Sequence, residues 1–229
     1  MARFIRGVFS ILALCDCNNF FVSCERLRRP ELRGRPVVVL SNNDGCIIAR
    51  SDEVKAMGVP MGQPYFQVQS LLKKKGIVVC SGNLVLYKEI SEKVMRALGR
   101  FTDAMEAYSI DEAFLNFPAS AAGDPCLYAS VMRKAVARMI GVPISVGIAP
   151  TKTLSKLASE RAKKTEYGVL EITERNLSEM LEVTAIGDIW GIGRKTAEKL
   201  NRHGIYNAGS FAAKDPSWVK KRLTIKGLM

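Results

Sequence analysis

The stretch from Val8 to Cys17 is almost wholly apolar and ends on an acid, which predicts a buried strand with Asp16 near its C-terminal end. Asn18 and Asn19 follow, either one a helix cap, and then a short helical segment from Val22 to Leu27. Pro36–Leu40 is β-branched and reads as a strand; Ser41-Asn42-Asn43-Asp44-Gly45 is a turn, and Cys46–Ala49 returns. Ser51 is placed to cap a helix that ends at Gly58. A second short helix follows Pro64, carrying Phe66, Val68, Leu71 and Leu72, and gives way to a strand over Ile77–Cys80. From Asn83 to Leu98 the apolar positions Leu84, Tyr87, Ile90, Val94 and Leu98 approximate a 3.6-residue stripe, as expected of an amphipathic helix. Met105–Phe117 reads as a hairpin, Ala119–Asp124 as a loop, Leu127–Ile140 as a second amphipathic helix and Pro143–Ile148 as a strand. Thr151 caps a helix over Lys152–Lys164, Val169–Ile172 forms a last strand, and past about residue 173 the pattern is helical throughout.

With residues 23–82 set aside, the order is β, α, ββ, α, β, which is that of a ferredoxin-like split βαβ sheet. The predicted class is α+β: a ferredoxin-like unit with an inserted subdomain that carries its own small sheet and basic helices, followed by an all-α unit.

Within the hairpin, Tyr108-Ser109-Ile110-Asp111-Glu112-Ala113-Phe114 sets two adjacent carboxylates between apolar residues. Neighbouring strand residues point to opposite faces, so Asp111 and Glu112 serve one site only if the chain bends there. Two crowded carboxylates repel and raise a pKa, and a divalent cation relieves this. Taken alone, the pair reads equally well as a solvated turn, which favours Asp for local hydrogen bonding. Asp16 has the same two readings, as a helix cap or as a metal ligand held on rigid backbone. In Ile189-Trp190-Gly191-Ile192-Gly193-Arg194-Lys195, a Gly-x-Gly hairpin opens a helix. Glycine capping alone explains that arrangement, but Arg194 and Lys195 favour a phosphate at the free helix N–H groups.

Charge sharpens the choice of partner. Among 229 residues there are 34 Lys and Arg against 22 acids, a formal charge of +12, and this excess favours a polyanion. The six cysteines (Cys15, Cys17, Cys24, Cys46, Cys80 and Cys126) form no C-x-x-C pair, and the one histidine is His203. A structural zinc and a disulfide framework are both disfavoured, and reduced thiols in a cytoplasmic protein fit best. Met1 to Cys15 looks like a weak lipoprotein signal, but the bulky Leu14 before Cys15 and the short apolar run argue against it. No stretch approaches the length of a membrane span.

Three ordered motifs now carry a resemblance: Asp16 at a strand end, Ser-Ile-Asp-Glu at 109–112, and Ser-Val-Gly-Ile-Ala-Pro-Thr-Lys-Thr-Leu-Ser-Lys-Leu-Ala at 145–158. Together they resemble the Y-family translesion DNA polymerases. Ser41–Arg50 and Asp188–Gly193 resemble the UmuC branch of that family, and the likeness covers the chain from about residue 10. It implies a palm (8–22 and 83–172), inserted fingers (23–82) and a helix-hairpin-helix thumb (173–229), without the little-finger domain that usually follows. It also implies error-prone, template-directed synthesis in the SOS response to DNA damage, on primer-template DNA with deoxynucleoside triphosphates.

By the same resemblance two Mg²⁺ ions are expected, with Asp16 and Asp111 bridging both, Glu112 on the primer side and the Cys17 carbonyl on the nucleotide side. Lys55 and Lys163 match phosphate-binding positions, assisted by backbone amides at Asn18, Asn19 and Phe20. Phe21 matches the aromatic gate beneath the sugar, where plain core packing of Phe20 and Phe21 is the simpler reading of the residues themselves. Ala49 and Asp52 depart from the threonine and tyrosine of better-known members, with Arg50 or Ser51 placed to compensate. Gly191, Gly193, Arg194 and Lys195 are the expected DNA contacts, and a UmuD-type dimer and a recombinase filament are the partners of that branch. Two other readings stand beside it: a non-catalytic DNA-binding or regulatory fragment, and a nucleotide-cyclase-like palm.

Overall fold

A computed structural model describes residues 11–223. The predicted strand residues 8–10, most of the lipoprotein-like leader and the end of the proposed thumb lie outside the described residues. Two sheets organise the chain. The larger has five strands in the order β5-β6-β1-β7-β8: β1 (Ile11–Cys17), β5 (Ala104–Ala107), β6 (Glu112–Phe117), β7 (Ile144–Ile148) and β8 (Val169–Glu171). Its first four positions follow the split βαβ order, and β8 adds itself parallel to β7. The smaller sheet, β3-β2-β4, is inserted between β1 and β5 and holds β2 (Val37–Leu40), β3 (Ile47–Arg50) and β4 (Val78–Ser81).

Strand alternation decides where the chemistry goes. Ala13, Cys15 and Cys17 of β1, Ala113, Leu115 and Phe117 of β6, and Ile144, Val146 and Ile148 of β7 all enter the main core. There they meet Tyr87, Ile90, Val94 and Leu98 of α4 (Leu84–Leu98), and Ala129, Met132 and Val136 of α5 (Pro125–Ile140). The intervening residues face the opposite side. Asp16 and Glu112 stand directly across from one another in register, with Ser145 across from Asp16 on the other flank. That second face is covered by α6 (Lys152–Ala162), which lies on β7, β1 and β8. Its contact stripe is small throughout: Ser155, Ala158, Ser159 and Ala162 are all fully buried.

The inserted subdomain has a core of its own, in which Val38, Leu40 and Ile47 meet Val54, Val68 and Leu72. The last two come from α3 (Tyr65–Lys74), and Val54 from α2 (Asp52–Ala56). Beyond β8 the chain is helical: α7 (Leu177–Glu182) packs on Ala149, Leu157 and Ile172, while α8 (Arg194–Asn201), α9 (Ala208–Ala212) and α10 (Pro216–Leu223) surround Ile186, Leu200 and Ile205. All six cysteines are free. Among the described residues no helix is long and apolar enough to cross a membrane.

Several local expectations need correction. The first helix, α1 (Phe20–Arg28), starts two residues earlier than the apolar pattern implied, so Phe20 and Phe21 belong to its first turn. Asn19 occupies the cap position in a left-handed conformation (φ 48°), yet its side chain makes no capping bond. Asn18 instead ties the strand end down: its backbone carbonyl accepts the Ser23 hydroxyl at 2.7 Å and its Oδ1 accepts the Ser145 hydroxyl at 2.8 Å. Ser51 does not cap α2 with its side chain either, since its hydroxyl accepts the Val37 N–H at 3.1 Å. The last strand stops at Glu171, and Ala119–Ala121 is a 3₁₀ turn within the predicted loop.

Asp124 is a working cap: its carboxylate accepts the Leu127 N–H at 2.9 Å, and Pro125 occupies the first helical position. Asp124→Ala is therefore expected to cost about 1 kcal/mol, lowering the melting temperature by about 2–4 °C in a thermal scan.

Candidate active site

The bend at Asp111 is built by one serine. The Ser109 hydroxyl accepts the N–H groups of Asp111 (3.3 Å) and Glu112 (3.1 Å) and donates to Asp111 Oδ1 at 2.7 Å. This brings Asp111 out of strand alternation and leaves Glu112 on the face shared with Asp16. The main chain locks the bend to β1, because the Cys17 N–H donates to the Asp111 carbonyl at 2.9 Å. Hence Asp16, Asp111 and Glu112 line one cleft of about 330 Å³, together with Cys17, Asn19, Phe20, Phe21, Lys55 and Lys163.

Two lysines of α6 serve the carboxylates. Lys163 Nζ, at the C-terminal end of the helix, donates to Asp16 Oδ2 at 2.7 Å and to Glu160 at 2.6 Å. Two turns earlier, Lys156 Nζ straddles Glu112, at 2.9 and 3.0 Å from its two oxygens. Residues seven apart share a helix face, so both lysines reach the sheet edge. Asp16 is only 6% exposed. Burial is the main cause that pushes its carboxyl up to about 7; Lys163 works against the rise, and Glu112 and Asp111 add to it. Asp111 is raised as well, again chiefly by burial. Three carboxylates thus share a cleft in which burial disfavours their charged form, and a bound cation would offset that cost.

Among the described residues no three acidic, thiol or imidazole groups converge closely enough to form a ready metal cage. The donors are nonetheless of one chemical kind. Three carboxylates supply hard oxygen, while the Cys17 side chain enters the main core on the face of β1 opposite Asp16 and offers the cleft no sulfur. This set fits a hard divalent cation such as magnesium and does not fit zinc.

Other expected residues fall as follows. Lys55 lines the cleft and pairs with Asp52 at 3.0 Å. Of the two candidates for replacing lost phosphate contacts, Arg50 lines the cleft, and its guanidinium donates to the Val59 carbonyl. Ser51 is fully buried and faces away. Phe21 lines the cleft and stacks on Tyr87, with ring centroids 4.5 Å apart and planes 20° apart. Asn18 is absent from the cleft lining, its side chain being engaged by Ser145. Gly191, Gly193, Arg194 and Lys195 are also absent from it. They stand at the start of α8, where Gly191 takes φ 90° and Arg194 is 86% exposed. The hairpin that carries them meets the β5–β6 hairpin through Trp190, edge-on to Tyr108 at 5.3 Å and 6.1 Å from Phe114.

Lys156 and Ser109 were not assigned roles from sequence. Lys156 was legible as basic, but only its spacing from Lys163 could have placed it over the carboxylates.

The fold is that of the Y-family DNA polymerases. It superposes on the insertion ternary complex of Dbh DNA polymerase with a TM-score of 0.84 at 24% identity, covering 95% of this chain and 65% of that one. On DinB from Sulfolobus solfataricus the TM-score is 0.82, again at 24% identity, over 95% of this chain and 64% of that one.

The chain belongs to the impB/mucB/samB family, whose sequence model matches residues 15–160, with the family's HHH motif matching residues 175–205. ImpB of Salmonella typhimurium is 41% identical over 94% of this chain and 52% of its own length. UmuC of Salmonella typhimurium is 39% identical over 94% of this chain and 52% of its own length. DNA polymerase IV 1 of Bacillus subtilis is 32% identical over 96% of this chain and 53% of its own length. The chain thus spans about half the length of the curated relatives it matches.

Proposed function

We propose that this chain carries the nucleotidyl-transfer site of an error-prone, translesion DNA polymerase. The observation that carries the reading is the register that sets Asp16 opposite Glu112, with Asp111 at the adjoining bend and Lys163 above. In the proposed reaction a primer 3′-oxygen forms a bond to the α-phosphorus of a deoxynucleoside triphosphate. The bond from that phosphorus to the bridging oxygen breaks, and pyrophosphate leaves. Two magnesium ions held by Asp16, Asp111, Glu112 and the Cys17 carbonyl would activate the attacking oxygen and neutralise charge on the phosphate.

The remaining work belongs to the chain. Lys55 and Lys163 bind the triphosphate, helped by backbone N–H groups at Asn19 and Phe20, and Arg50 adds charge at the same wall. Asn18 acts indirectly, by fixing the strand end. Phe21 packs beneath the sugar. Gly191, Gly193, Arg194 and Lys195 grip a backbone phosphate of the DNA. On this reading residues 8–22 and 83–172 form the palm, 23–82 the fingers and 173–229 the thumb. A UmuD-type dimer and a recombinase filament are the partners that the resemblance to the UmuC branch implies, and the cytoplasm is the proposed location.

Primer extension with Mg²⁺, with Asp111→Ala as the blank, tests the reading. Template-dependent extension above the blank supports it. DNA binding without extension points to a non-catalytic DNA-binding module, and pyrophosphate release without DNA to a cyclase-like enzyme. A second check needs no turnover. Mg²⁺ at a hundred times its Kd is expected to stabilise the chain by about 2.7 kcal/mol in thermal melts. Equal melting temperatures with and without the ion count against the site.

A further inference from the structure

Among the described residues two carboxylates are buried: Asp16, in the cleft, and Glu25, at 2% exposure, outside it. Glu25 has no cationic partner within 4 Å among the described residues. Arg29, one helical turn further on, is engaged by Glu31 at 3.0 Å. What Glu25 does hold is the hydroxyl of Tyr87, which donates to its Oε1 at 2.8 Å. Tyr87 comes from α4 and is fully buried, and its ring stacks face to face on Phe21 of α1. Phe21 and Glu25 are four residues apart and share a helix face. Tyr87 is therefore clamped at both ends by one helix, its hydroxyl by Glu25 and its ring by Phe21.

Packing alone does not require this arrangement. A phenylalanine and an aliphatic residue would fill the same space without burying an acid, and burying an acid costs free energy unless it is well bonded. What the hydrogen bond adds is direction: it fixes the plane and height of the Tyr87 ring, and so those of the ring stacked upon it.

We propose that Glu25 is a positioning residue for sugar selection, acting through the Tyr87 hydroxyl on Phe21. This rests on the reading of Phe21 as the residue beneath the nucleotide sugar. Without the hydroxyl bond the Tyr87 ring is free to rock, Phe21 settles lower in the cleft, and a 2′-hydroxyl is admitted.

Single-nucleotide insertion with Mg²⁺ tests this, comparing a deoxynucleotide with its ribonucleotide on one primer-template. Phe21→Ala is the control for the underlying reading and is expected to remove most discrimination. Tyr87→Phe and Glu25→Leu are each expected to lower the deoxy-over-ribo ratio of kcat/KM about tenfold, through the ribonucleotide KM, with deoxynucleotide kcat held within about twofold. Glu25→Gln keeps a carbonyl acceptor and should restore most of the ratio. The Tyr87→Phe/Glu25→Leu double variant should be no worse than either single one, because both break the same bond.

If Glu25→Leu does not fold, Tyr87→Phe decides alone. An unchanged ratio in Tyr87→Phe, with or without a lower melting temperature, alongside a collapsed ratio in Phe21→Ala overturns the inference and leaves the polymerase reading standing. An unchanged ratio in Phe21→Ala, or no insertion by the unaltered chain, removes both.

Discussion

Asp111→Ala is expected to lower nucleotide insertion by about 10³-fold or more, equivalent to about 4 kcal/mol of barrier, while the fold persists. Two features separate the chemistry from the scaffold at this residue. The bend is held by groups the substitution keeps: the Asp111 main chain accepts the Cys17 N–H, and the Ser109 hydroxyl accepts the N–H groups of 111 and 112. Among the described residues the one side chain that bonds the carboxylate is Ser109, and burial already raises its pKa. Removing it takes a repulsive charge away from Asp16, so the metal-free melting temperature should stay level or rise. The stabilisation gained from Mg²⁺ should shrink at the same time, since one of the three carboxylates that would hold the ion is gone. Insertion at the unaltered rate, or an undiminished response to Mg²⁺, would place the metal elsewhere.

Gly147→Ala has the opposite profile, with fold and activity lost together. A Cβ at Gly147 would stand 2.1 Å from the Ser159 nitrogen, 2.2 Å from the Ser155 carbonyl oxygen and 2.7 Å from the Ala158 carbonyl carbon. All three belong to the backbone of α6, which cannot rotate out of the way as a side chain can. The helix would have to lift from β7 by an ångström or so, or the strand bend away. Overpacking of this kind costs about 3 kcal/mol or more. The helix also carries Lys156 and Lys163 to Glu112 and Asp16, so even a folded remnant should insert nucleotides poorly. A melting temperature within about 2 °C of the unaltered chain would show that the helix accommodates a methyl group easily.

Much of this was legible in the sequence because it rests on local pattern. The 3.6-residue stripes of α4 and α5 and the β-branched run of β2 translate directly into elements. Asp16 and the Asp111–Glu112 bend announce themselves as acids where apolar residues belong. What was not legible was set by long-range geometry. Asn18 looked like a cap, yet its oxygen is claimed by Ser145, 127 positions away. Ser51 looked like a cap too, but the neighbouring strand takes its hydroxyl. Lys156 looked like one more basic residue until α6 docked and laid it across Glu112. Gly147 is a single letter in an apolar strand, and its necessity appears only once the small stripe of α6 is seen pressed against it.

One contact also gives the molecule an optical handle. The chain has two tryptophans, Trp190 and Trp218. Trp190 sits where the glycine hairpin before α8 meets the β5–β6 hairpin, edge-on to Tyr108, with Lys156 Nζ 5.6 Å from its ring centroid. Trp218 packs on the core of the C-terminal helices, beside His203. With Trp218 replaced by phenylalanine, the indole that remains reports on one junction alone. Lys156, which pairs with Glu112, lies beside that indole, so a cation bound at the carboxylates is expected to shift its emission, with no label added.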